Sequence, residues 1–267
     1  RQATAYMKLG LGRAACHALK VGLSRIPEDD VDARGVWRTA LVEASEVRER
    51  EVQMMAQRKN RIEARIGASE ASPLSDHVMQ AVGFDLHDVA AANVSSYGRG
   101  VVAQRPLKAG SVLANVFEEH ILSAATLGAS RPEVAQRMHL IQCDKQTRLA
   151  PQTELALLLM EQLHDMEDSP HAAYLASLPD HVATPLLFEP EALEALQDGQ
   201  VVDEVAWRHR TPLLADWTKL CNTAFWVDPG AWDPTVFHLH AFMRAISLLS
   251  SRALPDSANG STLIPGV

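Results

Sequence analysis

From Val36 to Ile66 the chain carries no glycine and no proline. A segment of that length with neither breaker predicts a long, uninterrupted helix. Glu46 and Arg50 sit at the favourable i,i+4 spacing. Val52, Met55, Ile62 and Ile66 keep to one face, with Lys59 interrupting it. The heptad is not sustained, so the expectation is a solvated helix resting on a domain rather than a coiled coil. Residues 1–72 are accordingly read as a charged, helical N-terminal extension, closed by an Ala/Ser-rich linker from Gly67 to Pro73.

The 267 residues suffice for one large domain or two modest ones, and 47% hydrophobic residues is ordinary for a globular protein. A net charge of −8 argues against a protein held on nucleic acid by phosphate contacts. No apolar run approaches the length of a membrane span, so no membrane partner is expected. Cys16, Cys143 and Cys221 give neither a zinc spacing nor a disulfide framework, which suits a reducing compartment. The first 27 residues hold Arg1, Lys8, Arg13, Lys20 and Arg25 and no acid, as in a targeting segment's tail or a plain basic helix. Beginning at Arg1, the chain reads as a fragment or processed product.

Beyond the linker, a helix over Leu74–Val82 is expected to stop at Gly83. Gly98 and Gly100 then flank Arg99 and lead into an apolar run, Val101–Ala103. A turn at Pro106 and Lys108-Ala109-Gly110 follows, and Val112-Leu113-Ala114, extended by Val116-Phe117, forms a second strand. Two glycines at a strand's mouth imply a sharp bend or a close approach, either to a ligand or to another strand. Residues after 126 are mainly helical. Gln152–Met166 places Leu155, Leu158, Leu159 and Leu163 on one side, and Pro190 opens a helix over Glu191–Gln197 that Gly199 stops. Asp233-Pro234 reads as an N-cap with proline at the first helical position, starting a helix that runs to about Ala253.

Several chemical motifs fail on inspection. Glu161-x-x-His164 resembles half of a di-iron site, but the second copy is missing. His238 and His240, on a helix, would point about 200° apart and could not share an ion. Neither a nucleophile elbow, a Walker loop nor a zincin motif occurs. No metal site is expected.

From Tyr174 the sequence reads Tyr174-Leu175-x-x-Leu178-Pro179, Thr184-Pro185-Leu186-x-Phe188, then Leu193-x-x-Leu196-Gln197. This pattern resembles the helical insert of SET-domain methyltransferases of the Rubisco large-subunit methyltransferase type. The Gly98-Arg99-Gly100 strand with its Lys108-Ala109-Gly110 turn is similar to that family's first SET strands. Leu155 to Leu163 resembles the helix before the insert, and Phe237-x4-Phe242-x2-Ala245-x-Ser247-x3-Ser251-Arg252-Ala253 the family's helix end. The likeness covers about residue 74 to the last residue.

The resemblance implies an α+β fold, a partial SET domain of short strands with a large helical insert. Residues 73–125 would be its first part, 126–252 the insert and 253–267 the start of its C-terminal segment. It also implies transfer of a methyl group from S-adenosylmethionine to a side-chain nitrogen of a protein substrate, lysine being the leading acceptor. A lysine of pKa about 10.4 must first lose its proton, which desolvation and positioning assist. Carried over, Tyr97, Gly98, Arg99 and Gly100 would pass along the cofactor and Arg252 would face its carboxylate. On the residues alone, Arg252 is a last-turn cation on a helix.

The chain departs from the pattern in three places. Tyr97 stands where an acid is frequent. Leu263-Ile264-Pro265-Gly266-Val267 resembles the start of the next strand, and the Asp-x-x-Asn-His segment and later tyrosine are not reached. No catalytic residue is therefore expected within these residues, and the piece is expected to bind cofactor weakly and to be inactive alone. The alternatives are a non-catalytic SET-like scaffold binding partners through the insert, or a helical adaptor. An intracellular location follows, cytoplasm or nucleus, with a plastid as the alternative.

Overall fold

The computed structural model describes residues 2–66, 85–86, 88–94, 98–117, 121–123, 126, 132–133, 136–138, 149–179, 182, 184–188, 192–193, 195–227, 230–256 and 260–263. The chain opens with three helices, α1 (Gln2–Lys8), α2 (Gly12–Leu23) and α3 (Val31–Ile66). Asp30 caps α3 by accepting from the Ala33 N–H at 3.0 Å, so the helix starts before the breaker-free stretch and runs through Gly35. At 36 residues it is about 54 Å long.

Its N-terminal half packs on α2, burying Ala15, Cys16 and Leu19 against Ala44, with Trp37 and Leu41 beside them. The crossing is close enough that a Cβ on Gly12 would lie 1.9 Å from the Arg48 backbone nitrogen. Helix α2 has no side-chain cap of its own. Instead Glu51 of α3 reaches across and accepts from the Arg13 backbone N–H at 2.8 Å.

The C-terminal half of α3 lies on the main body through Ile62, 1% exposed, and Met55. Its basic residues end on backbone carbonyls. Lys59 Nζ donates to Leu178 O at 2.9 Å, Arg58 to His164 O at 3.0 Å and Arg65 to Glu167 O at 2.8 Å. Arg61 holds the Glu167 carboxylate with two bonds, which lowers that carboxyl's pKa. Lys59 thus reaches the carbonyl end of a body helix, which explains why a cation interrupts the apolar face. Val52, at 39% exposed, leaves the expected stripe less covered than its spacing implies.

The body contains α4 (Pro151–His164), α5 (Ala172–Ser177), a 3₁₀ turn (Pro185–Leu187), α6 (Gly199–Asp203), a π-helical stretch (Glu204–Arg210), α7 (Thr211–Asn222), α8 (Ala224–Val227) and α9 (Leu239–Arg252). Helix α4 is buried from Leu155 to Leu163 without a break, so it is the central helix and not a one-sided one. It packs along α9, which contributes Phe242, Ala245, Ile246, Leu248 and Leu249. Trp217, Phe225, Trp232, Phe237 and Phe242 form a connected aromatic group beside this pair. Glu161, the acid of the apparent metal half-motif, pairs with Arg137, and no metal-binding group of side chains stands among the described residues.

The strands form three separate two-stranded antiparallel ribbons: β1 (Asp85–Leu86) with β4 (Ala114–Asn115), β2 (Val89–Val94) with β3 (Gly98–Ala103), and β5 (Ala253–Asp256) with β6 (Gly260–Leu263). Helices dominate, within an α+β composition.

Local expectations shift in four places. The last long helix starts at Leu239, because Asp233 closes a turn by accepting from Thr235 N and Thr235 Oγ1, and His238 becomes the cap. Gly199 opens α6, capped by Asp198, and stops nothing. The strand at Val101 begins at Gly98, while Val112 and Leu113 precede the short β4. Leu263 ends a strand. The expected helix over 74–82 lies outside the described residues.

Leu159→Ala, at a position that is 0% exposed, is expected to cost about 2–5 kcal/mol, against about 0.5–2 kcal/mol for Glu51→Ala at the α2 cap. Chemical denaturation of both variants checks the order.

Candidate functional site

Arg252 is the last residue of α9, where the buried stripe ends and the chain turns into β5. It is half-buried, and its Nη1 donates to Ser251 Oγ. One sequence-distant segment meets α9 in the turns before this end. Thr184 Oγ1 and Ser247 Oγ are hydrogen-bonded at 2.9 Å, with Ser247 1% exposed. Tyr174, on α5, is 2% exposed, and its Oη has no hydrogen-bond partner. Burial raises the phenol's pKa, and the positive charge of Arg252 acts in the opposite direction. The Thr-Pro-Leu block thus touches the helix that ends in Ser-Arg, and the buried Tyr174 phenol feels the charge of Arg252.

The glycine pair stands elsewhere in the fold. Gly98 lies opposite Val94 and Gly100 opposite Ala92 in the β2–β3 ribbon. Alternating positions place the two glycines on one face of it. The next residues, Val101 and Val102, are 54% and 36% exposed. Among the described residues this ribbon makes no substantial packing contact with α9. Of the expected cofactor residues, then, Arg252 has a defined environment, Gly98, Arg99 and Gly100 have a defined backbone, and Tyr97 lies outside the described residues.

Sequence reasoning missed Tyr174 as a functional candidate and read it only as part of a motif. No local signal marks it, because an unpartnered hydroxyl is a property of the tertiary environment. It set His238 and His240 aside as a helical pair pointing apart, and both stand at the seam between the N-terminal helices and the body. His238 lies just outside α9 and caps it, its Nδ1 accepting from Ala241 N at 3.2 Å. That position frees its ring from the helical spacing, so His238 and His240 stack with centroids 6.3 Å apart. Tyr6 lies 5.6 Å from His238, and His17 5.8 Å from His240. The Cys16 thiol is buried under α3 and that of Cys221 is half-buried, its pKa raised by burial, as suits structural cysteines.

Burial pushes the His238 imidazole down to about 4, and burial followed by His17 and His238 pushes that of His240 down to about 3. A histidine in the unfolded chain titrates near 6.5, so below that pH the unfolded state takes up protons that the folded state does not. These histidines therefore leave stability intact above about pH 6.5 and erode it as the pH falls toward about 4. The thermal midpoint is expected to decline across that window, and less steeply in His238→Asn, where asparagine keeps the cap without the titration. An unchanged slope in that variant would refute the assignment.

No protein-family model and no curated protein matches the chain.

Proposed function

We propose that this chain is part of an S-adenosylmethionine-dependent protein N-methyltransferase, with a lysine side chain of a protein substrate as the leading acceptor. The observation that supports the reading is the Thr184–Ser247 hydrogen bond, which joins the Thr-Pro-Leu block to the helix ending at Arg252, whose charge also reaches the buried Tyr174 phenol. The cofactor supplies an electrophilic methyl group and an amino-acid moiety bearing a carboxylate.

The residues present suit that carboxylate. Arg252 offers a fixed cation with a planar array of donors at a half-buried position. Tyr174 offers a buried hydroxyl with one donor to give and no protein acceptor. Backbone at Gly98–Gly100, with no side chain at 98 and 100, allows a ligand to approach β3 closely. No side chain here is assigned to the methyl-transfer step itself, and the role of these residues is to bind and orient.

Isothermal titration of the chain with S-adenosylmethionine tests this. Wild type is expected to bind, and Arg252→Ala to bind about 10–100-fold more weakly, the range for a charge-assisted hydrogen bond. Tyr174→Phe is expected to weaken binding by about three- to tenfold while leaving the ligand-free protein as stable or more so, since an unpartnered buried hydroxyl costs about 1–3 kcal/mol. Absence of binding to wild type, or an Arg252→Ala variant that binds equally well, would overturn the reading.

A further inference from the structure

The buried apolar side chains form two clusters that share no member. One gathers α1, α2 and the first half of α3 around Ala15, Cys16, Leu19 and Ala44. The other holds Ile62 of α3 together with the α4–α9 core. Helix α3, continuous through both, is one tie between them. A second tie is a row of rings where α2 packs on α9. Tyr6 of α1 meets His238, His238 stacks on His240, and His240 meets His17 of α2. All four rings are half-buried. Two of the three contacts cross from one cluster to the other, and three of the four rings are imidazoles.

The hydrogen bond at His238 fixes where an added proton goes. Its Nδ1 accepts from Ala241 N at 3.2 Å, so the neutral ring carries its hydrogen on Nε2. Protonation therefore falls on Nδ1 and abolishes the acceptor that caps α9. Cations surround the row. His240 is acted on by His17 and Arg13 of α2 and by His238 and Arg244. His238 lines a hollow with Arg13, with Glu51 and Arg58 of α3, with His164 of α4 and with Arg244 of α9. Tyr6 is acted on by Cys221 of α7 and bonded by Gln2. Glu51 is the carboxylate of that lining, and it accepts from the Arg13 backbone N–H. Neither His238 nor His240 pairs with a carboxylate among the described residues.

We propose that this row of rings is an acid-opened joint: proton uptake by His238 and His240 removes the α9 cap and parts α1 and α2 from α9, while the α4–α9 core stays closed. Closure is complete above about pH 6.5, the ordinary value for an exposed imidazole, and weakens as the pH falls below it. Each histidine that is neutral in the closed joint and protonated in the open one shifts the balance by up to about tenfold per pH unit.

Nuclear magnetic resonance of the whole chain, titrated from pH 7.5 to 5.0, tests the joint. Through-space contacts between the rings of Tyr6 and His238, and of His17 and His240, are expected at pH 7.5 and lost at pH 5.0. Exchange of the Ala241 amide, corrected for its intrinsic pH dependence, is expected to speed up at least tenfold. The methyl groups from Leu155 to Leu163 should keep their chemical shifts. In the double variant His238→Asn, His240→Phe, which keeps a cap and a ring without either titration, Ala241 should stay protected at pH 5.0. Should that variant fail to fold, His17→Phe removes the charge facing His240 across the seam and is expected to shrink the acid effect severalfold. Ring contacts that persist at pH 5.0, equal loss of order in the Leu155–Leu163 methyls, or an acid effect undiminished in the variant that folds would each overturn the proposal.

Discussion

The pairing of α4 with α9 is the contact on which the remaining structure depends. Helix α4 is covered on every side, and α9 lays Phe242, Ala245, Ile246, Leu248 and Leu249 along it. Burying the Phe, Ile and Leu side chains among these stabilises by about 1.5–3 kcal/mol each. Everything with functional interest hangs from this pair. The upstream end of α9 carries His238 and faces the N-terminal helices, and its downstream end presents Arg252, whose charge reaches Tyr174. One rigid helix therefore separates the His238 seam from Arg252 by its own length, about 21 Å for 14 residues.

The N-terminal helices are joined to that frame mostly by polar contacts at helix ends. Lys59, Arg58 and Arg65 donate to carbonyls at or just beyond the C-termini of α5 and α4, where partial negative charge accumulates. Glu51 plays the converse part at the α2 N-terminus. Among the described side chains of α3, Ile62 and Met55 add apolar cover to the body. A junction of this kind is directional, and the stacked histidines lie along it.

Much of this was legible in the residues. The absence of Gly and Pro after Val36 foretold α3, and Leu155 to Leu163 foretold a buried helix. What escaped is what depends on distant partners. Lys59 looked like a flaw in an apolar face until the carbonyl of Leu178 supplied its purpose. Asp233-Pro234 carries every local mark of a helix start, yet Thr235 ties the aspartate into a turn and the cap passes to His238. Glu161 paired with Arg137 in the way a metal half-motif cannot reveal. At the candidate site, Arg252 and the glycine strand were visible as motifs, whereas the unpartnered hydroxyl of Tyr174 exists only once the core has closed around it.

The central proposal is that S-adenosylmethionine bridges the end of α9 and the glycine strand, which make no substantial contact with one another among the described residues. Amide hydrogen exchange with and without that compound tests it most directly, because it reports each backbone segment independently. The account predicts added protection at residues 251–256 and at 98–100, with little change along the seam of the N-terminal helices. Protection confined to that seam, or no change at either predicted segment at saturating S-adenosylmethionine, would contradict it.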